Sequence, residues 1–249
     1  MDYIDQYEQG VADARRAFAE DPAVRLIQDP AIGASHLEAF FIYYCALGVA
    51  MTEPVEGWIR RAGEACVQAG GPGVEELGTA LQKHATAEAD HHLLMISDLR
   101  RLCTRRAAAG RAAPDPDDLL ALPWPESAQH YRQMHEDVIA GPAPFAQIAV
   151  ENEIEMLSVE IGPGLLGNAR GLLGDDVMDD LSFLTDHVAL DVGHTKFNRR
   201  QMATFLDRRD GDHATIEALV EAGTAALEAY RAFIADCLSL AGQVPAPAR

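Results

Sequence analysis

Apolar residues recur at intervals of three and four along most of the chain, whereas alternating runs rich in Val, Ile and Thr are scarce. The first spacing places apolar side chains on one face of an α-helix, and the second is typical of β-strands. The pattern therefore predicts an all-α protein. We predict helices over residues 2–20, 34–51, 54–69, 74–107, 126–140, 144–160, 175–207 and 212–240.

Glycine and proline mark several of the predicted helix ends, as in Gly70-Gly71-Pro72-Gly73 and Gly162-Pro163-Gly164, because both residues interrupt helical backbone. The one substantial interruption is residues 107–125, which we expect to be an exposed excursion or a lid. No internal repeat is evident. We therefore predict one helical domain over residues 1–241 and a disordered tail over residues 242–249.

The composition favours a small-molecule partner. The 249 residues are 48% hydrophobic, which suffices for one large core, and the formal net charge is −19. That charge opposes binding to nucleic acid or to an anionic membrane. The N-terminal residues lack a basic region followed by an apolar one, and no apolar run reaches membrane-spanning length. We therefore expect no membrane partner and a cytoplasmic location.

The four cysteines are widely spaced and include no Cys-x-x-Cys pair, which is typical of reduced, buried thiols rather than a disulfide framework. They are Cys45, Cys66, Cys103 and Cys237.

The most specific pattern is His187, Asp191 and His194, whose spacing of four and then three residues places them on one stripe of a helix. Two imidazoles and a carboxylate on one stripe are a set of metal ligands. Neighbouring apolar residues, among them Leu190 and Val192, predict that this stripe is buried.

Two further segments carry similar side chains. Glu88 lies three residues before His91 and four before His92, and either pairing places a carboxylate and an imidazole on adjacent turns. His84 lies one turn before Glu88, and we expect it either to be an alternative ligand or to hydrogen-bond to a ligand. By contrast, His130 and His135 are five residues apart, and we expect them at the surface.

Glu151 and Glu155 are one turn apart in an otherwise apolar segment, where burying a carboxylate is costly unless a cation compensates it. Each segment alone has a simpler explanation: an ion pair within a helix, solvated acids, or a hydrogen-bonded polar patch. Together, imidazoles and carboxylates on three helices favour two metal ions. Because no cluster contains a thiolate, iron or manganese is the expected metal.

At these positions the chain resembles the haem-oxygenase-like di-iron oxidases and oxygenases. Their shared signature is a Glu and a His on one helix, a Glu on a later helix, and a closing His-x-x-x-Asp-x-x-His. The resemblance implies a single-domain up-and-down bundle of about seven helices. The metal ligands it implies are Glu88, His91, Glu151, His187, Asp191 and His194, with Glu155, His92 and His84 as alternative or additional ligands.

The resemblance further implies two iron ions, dioxygen as co-substrate and a small metabolite as substrate. The expected reaction is N-oxygenation of an amine or amino acid in a biosynthetic pathway, and the alternative is oxidative C–C cleavage or desaturation of an amino or fatty acid. The resemblance is also compatible with an external electron donor. A homodimer is a further expectation, because helical surfaces of this size often dimerise.

Three other functions compete with this interpretation. A metal-free, thiaminase-like enzyme of the same fold would need a catalytic cysteine or a basic pocket. A haem protein would need an axial ligand such as His36. A non-enzymatic iron-binding or interaction protein would bind metal without using it to oxidise a substrate.

Overall fold

The computed structural model describes residues 2–243, and within them the chain forms eleven α-helices and no strand. The predicted all-α class is confirmed. Most of the predicted tail lies outside the described residues; Gly242 and Gln243 form a turn. The helices are α1 (Tyr3–Glu20), α2 (Pro22–Gln28), α3 (Ala34–Thr52), α4 (Val55–Ala69), α5 (Val74–Ala85), α6 (His91–Ala108), α7 (Pro116–Leu120), α8 (Glu126–Ala140), α9 (Gln147–Leu173), α10 (Ser182–Arg208) and α11 (His213–Ala241).

Helix α3 lies at the centre of the bundle and contacts α6, α8, α9 and α11. Its apolar side chains are buried nearly all round, as expected for a helix surrounded by other helices. Helices α4 and α5 form a close antiparallel pair in which a Cβ added to Gly63 would lie 2.6 Å from the carbonyl oxygen of Gly78. The glycines therefore allow the two backbones to touch.

One segment, Ala34–Ala69, is long and apolar enough to cross a membrane by length and composition, contrary to the sequence-based expectation. It comprises α3 and α4, and 72% of its most apolar window is buried inside the bundle. Its apolar character is therefore accounted for by its place in the core.

The predicted helix over residues 74–107 is wrong in one respect: the backbone breaks in its middle. Helix α5 ends at Ala85, a 3₁₀ turn covers Thr86–Glu88, and Asp90 adopts a left-handed conformation with φ of 65°. Asp tolerates this conformation better than most residues because its short polar side chain can bond locally. The break separates Glu88 from His91, which begins α6.

Helix α9 continues through the predicted stop at Gly162-Pro163-Gly164 and ends only at Leu173. A Cβ added to Gly162 would lie 2.4 Å from Val188 Cγ2, so this glycine allows α9 and α10 to pack closely. Packing along the rest of a long helix can offset the cost of one exposed proline.

Smaller differences from the predicted elements lie near helix ends. Residues Asp175–Asp180 form a 3₁₀ helix, and α10 begins at Ser182, where Asp98 Oδ2 accepts a hydrogen bond from Phe183 N at 2.8 Å. The excursion over 107–125 contains α7, and Leu119 on this helix is buried. The excursion is therefore anchored in the core at its middle, which a freely opening lid would not be.

Candidate metal centre

The histidines and carboxylates of three separate segments meet on one side of the bundle. His84 lies on α5, Glu88 on the following 3₁₀ turn and His91 at the start of α6. Glu155 lies on α9, and His187, Asp191 and His194 follow one another along α10. The backbone break at Asp90 positions Glu88 between the imidazoles that precede and follow it.

The first group consists of His84, Glu88, Glu155 and His194, each of which offers one ligand atom within 4.8 Å of the others. His84 Nε2 lies 2.8 Å from Glu155 Oε1. His194 Nδ1 lies 3.3 Å from Glu88 Oε1 and 3.5 Å from Glu155 Oε1. Two imidazoles and two carboxylates therefore surround one small volume.

The second group consists of Glu88, His91 and His187, with the same 4.8 Å limit. His91 Nδ1 lies 3.0 Å from Glu88 Oε2, whereas Glu88 Oε1 faces the first group. His187 Nδ1 lies 2.7 Å from the carbonyl oxygen of Phe183, which fixes the ring and leaves Nε2 as its ligand atom. Glu88 thus offers one carboxylate oxygen to each group.

The donor atoms of these groups lack other partners. His84 Nε2, Glu88 Oε1, His91 Nδ1, Glu155 Oε1 and His194 Nδ1 are all buried without a hydrogen bond of acceptable geometry, despite their short separations. Each unpaired buried polar group costs about 1–3 kcal/mol. Cations between them would remove this cost, and nitrogen and oxygen donors without thiolate suit iron or manganese. The residues therefore fit two such ions.

Neighbouring polar side chains orient the carboxylates. Asn198 Nδ2 donates a hydrogen bond to Glu155 Oε2 at 2.6 Å. Ser158 Oγ donates to Asp191 Oδ2, and Asp191 Oδ1 lies 3.3 Å from His194 Nδ1. In each case one carboxylate oxygen is held by the protein and the other faces the cluster, an arrangement common around metal ligands.

The charges of the cluster are strongly coupled. The nearby carboxylates of Asp191 and Glu155 favour the protonated imidazole and raise the pKa of His194 to about 10. Burial opposes ionisation of Glu88, but the imidazoles around it lower its pKa overall. Burial lowers the pKa of His187. A metal ion at the first group would displace the proton of His194, so binding should release protons.

Glu151 lies beside the cluster but in neither group. Its Oε1 accepts a hydrogen bond from Gln147 Nε2 at 2.5 Å, and burial raises the pKa of Glu151 to about 8. His92 is half-buried and also lies in neither group. The structure thus brings Glu155 and His84 to the first group and leaves Glu151, Asp191 and His92 outside both groups, while the identity of the ligands stays a prediction.

Two expectations about burial are wrong. His135 is fully buried rather than at the surface: it stacks on Trp58 with ring centroids 4.1 Å apart, and burial lowers its pKa to about 3. Leu190 and Val192 are 48% and 43% exposed. These two neighbours of the histidine stripe therefore face solvent and do not help to bury it.

A cavity of about 120 Å³ opens against the cluster and is walled mostly by apolar residues of α3, α9, α10 and α11. Phe40 and Tyr44 of α3 belong to this wall. Glu88, Glu155, His187 and Asp191 form the polar end of the cavity, with Glu151 close by. Among the described residues that line it there is no Lys or Arg.

No protein-family model matches the chain, and no curated protein matches it. Among solved structures it is similar to a domain of unknown function with a heme oxygenase-like fold from Shewanella denitrificans OS217. The identity is 15%, the TM-score is 0.73, and the match covers 96% of this chain and 93% of that chain. The protein therefore has a haem oxygenase-like fold, as predicted. Residues 2–243 contain eleven α-helices instead of the expected seven or so, because short helices and breaks are counted separately.

Proposed function

We propose that this protein is a dioxygen-dependent oxidase or oxygenase with two iron ions, acting on a small organic molecule. One observation carries the proposal: five buried, unpartnered donor atoms converge in two groups that share Glu88, at the end of an apolar cavity. Mixed imidazole and carboxylate ligands leave coordination positions open, as dioxygen chemistry requires.

The protein's own residues would divide the work. His84, Glu155 and His194 would hold one ion, His91 and His187 the other, and Glu88 both. The two ions would supply the redox chemistry that reduces dioxygen and oxidises the substrate. The apolar cavity wall would keep bulk water from the reacting atoms.

The preferred reaction is N-oxygenation of an amine or amino acid. The support for it is Glu151, a carboxyl group in the cavity wall outside both ligand groups, which would pair with a substrate ammonium. A second candidate, oxidative C–C cleavage or desaturation of an amino or fatty acid, is favoured by a different observation. The wall is largely aliphatic and aromatic, as an alkyl chain would require.

Two competing functions have less support. A metal-free enzyme would need a catalytic cysteine or a basic pocket, and no Lys or Arg is among the described residues that line the cavity. All four cysteines are buried, and burial raises the pKa of Cys66 to about 12 and that of Cys103 to about 11. Such thiols are poor nucleophiles near neutral pH. A haem ligand at His36 is disfavoured because its Nε2 lies 3.2 Å from the carbonyl oxygen of Leu238.

The proposal is tested by loading the metal-free protein with Fe²⁺ under anaerobic conditions, counting bound iron, and mixing with dioxygen while recording visible absorption. We expect two irons per chain and a transient band. Glu88→Gln should lose most of the bound iron and the band. His187→Ala should lose one of the two irons and the band, whereas His130→Ala, which alters an exposed histidine on α8, should retain both irons and the band. Absence of iron binding, or binding that is equal in all variants, would overturn the proposal.

The reaction type is tested next, by measuring dioxygen consumption and decay of the transient with aliphatic amines, amino acids and fatty acids. Faster decay with amines, reduced in Glu151→Gln, would support N-oxygenation. Faster decay with fatty acids alone would favour C–C cleavage or desaturation.

A further inference from the structure

The chain contains two tryptophans, Trp58 and Trp124, and the side chain of Arg132 lies between them. Trp58 is 1% exposed, whereas Trp124 is 45% exposed. The guanidinium of Arg132 lies over both indoles, 5.5 Å from the ring centroid of Trp58 and 4.3 Å from that of Trp124. One side chain therefore connects a buried indole with an indole at the surface.

The inner end of this connection reaches the cavity. The ring centroids of Trp58 and Tyr131 are 6.2 Å apart, and those of Tyr131 and Tyr230 are 6.3 Å apart. The hydroxyl oxygens of Tyr230 and Tyr44 are 2.7 Å apart. All three tyrosines line the cavity that also contains Glu88 and His187. Oxidisable rings thus extend from the cavity beside the candidate metal centre to Trp58, and the guanidinium of Arg132 lies between Trp58 and the exposed Trp124.

Trp58 also has a base at its indole nitrogen. Its Nε1 donates a hydrogen bond to Glu136 Oε1 at 2.9 Å, and Arg61 holds the same carboxylate through contacts of 2.7 and 2.9 Å. An indole that loses an electron becomes far more acidic at its nitrogen, so a carboxylate hydrogen-bonded to that nitrogen can accept the proton as the electron leaves.

We propose that Trp58 is a redox-active residue that carries electrons from the surface at Trp124 toward the metal centre. The inference rests on the proposed function for its oxidant, the dioxygen-oxidised metal centre, and its reductant is an external one-electron donor. Trp58 loses one electron by way of Tyr131, which reduces the centre by one equivalent, and its Nε1 proton passes to Glu136. An electron from the donor, by way of Trp124, and the returning proton restore the indole.

This path has a clear use in an oxygen-activating protein. When no substrate occupies the cavity, the oxidising equivalent would otherwise attack the nearest side chains. Electrons that pass through Trp58 would instead reduce the oxidised centre, and a soluble reductant can supply them at the exposed Trp124. Trp58 and Tyr131 are therefore electron-relay residues, separate from the groups that hold the metal.

The connection can be tested without metal, by pulse radiolysis of the metal-free protein with azidyl radical, which oxidises exposed tryptophan. We expect the indolyl absorption formed at Trp124 to decay, at a rate independent of protein concentration, as tyrosyl absorption grows. Trp58→Phe and Tyr131→Phe should each abolish this transfer, and Tyr43→Phe, outside this connection, should leave it unchanged. Absence of transfer in the wild type, or the same rate in Trp58→Phe, would overturn the proposal.

The direction of transfer is tested in the iron-loaded protein mixed with dioxygen without substrate, by freeze-quench electron paramagnetic resonance with ring-deuterated tryptophan. A radical whose spectrum changes on deuteration, and which is lost in Trp58→Phe, supports the relay. Glu136→Gln should suppress it while iron binding is unchanged. If iron does not bind, the proposed function fails but the metal-free experiment still decides whether Trp58 connects the rings. A radical that is insensitive to Trp58→Phe contradicts the relay.

Discussion

Metal binding should stabilise this protein strongly, and the single substitution Glu88→Gln should remove most of that effect. Without metal, the folded state buries five unpartnered donor atoms. A divalent ion that binds the folded state and not the unfolded chain shifts the unfolding equilibrium by mass action. The measurement therefore reports on both groups at once and needs no knowledge of the substrate.

The magnitude follows from the number of groups. At a free metal concentration one hundred times the dissociation constant, each site contributes about 2.7 kcal/mol, and two sites about 5 kcal/mol. For a chain of this length, a change of 1 kcal/mol shifts the melting temperature by about 2–4 °C, so we expect an increase of about 10–20 °C. Glu88→Gln leaves three donors in the first group and two in the second, and should reduce the shift below about 5 °C.

The assay is thermal unfolding followed by circular dichroism, with chelator and then with Mn²⁺ as a stand-in that does not react with dioxygen. His84→Ala and His187→Ala each remove a ligand from one group, so each should retain about half of the shift. His130→Ala is the control. A wild-type shift of zero would refute the assignment of two ions, and an undiminished shift in Glu88→Gln would refute the bridging role.

Three further predictions concern the surroundings of the cluster. In the metal-free protein, burial raises the pKa of Glu151 to about 8, so its contribution to stability is present below its unfolded pKa of about 4.3 and lost as pH rises through 8. Glu151→Gln should therefore stabilise the protein relative to wild type at pH 9 but not at pH 4, as measured by urea unfolding; equal effects at both would contradict this. Ser158→Ala removes the donor to Asp191 and should lower metal affinity about 10–100-fold in competition with a chelator, with no change as the contrary result. Gly63→Ala should cost about 1–3 kcal/mol in the free energy of unfolding, because its Cβ would press on Gly78, and an unchanged urea midpoint would show that α4 and α5 can separate.

The helix pattern was predictable because burial of one face repeats along each helix, and that repetition is visible in the sequence. The break at Asp90 was not predictable. No glycine or proline marks it, and an aspartate in a left-handed conformation is stabilised by what surrounds it rather than by its neighbours in sequence. The predicted end of the helix before Gly162-Pro163-Gly164 was wrong for the same reason, because tertiary packing of α9 outweighed the local signal of the proline.

The sequence spacing along α10 was enough to predict that His187, Asp191 and His194 share one stripe, because helical geometry alone determines which side chains share a face. It could not identify which carboxylate of α9 faces them. Glu151 and Glu155 are one turn apart, lie on the same side of the helix, and are both buried. Their difference arises from their hydrogen-bond partners, which the spacing of the two acids does not reveal. Asn198 on α10 donates to one oxygen of Glu155, whereas Gln147, four residues earlier on α9, donates to Glu151.

These contacts suggest why the chain keeps two acids where one ligand would suffice. Glu155 has one oxygen held by an amide and the other unpartnered beside two imidazoles, so it suits a cation that stays bound. Glu151 has no imidazole at ligand distance, and burial favours its protonated form. A neutral carboxyl group can donate a hydrogen bond, and an ionised one can pair with an ammonium group. A ligand that brings its own positive charge into the cavity would favour the ionised state, so amine binding should release a proton from Glu151 that a neutral aliphatic ligand of the same size would not.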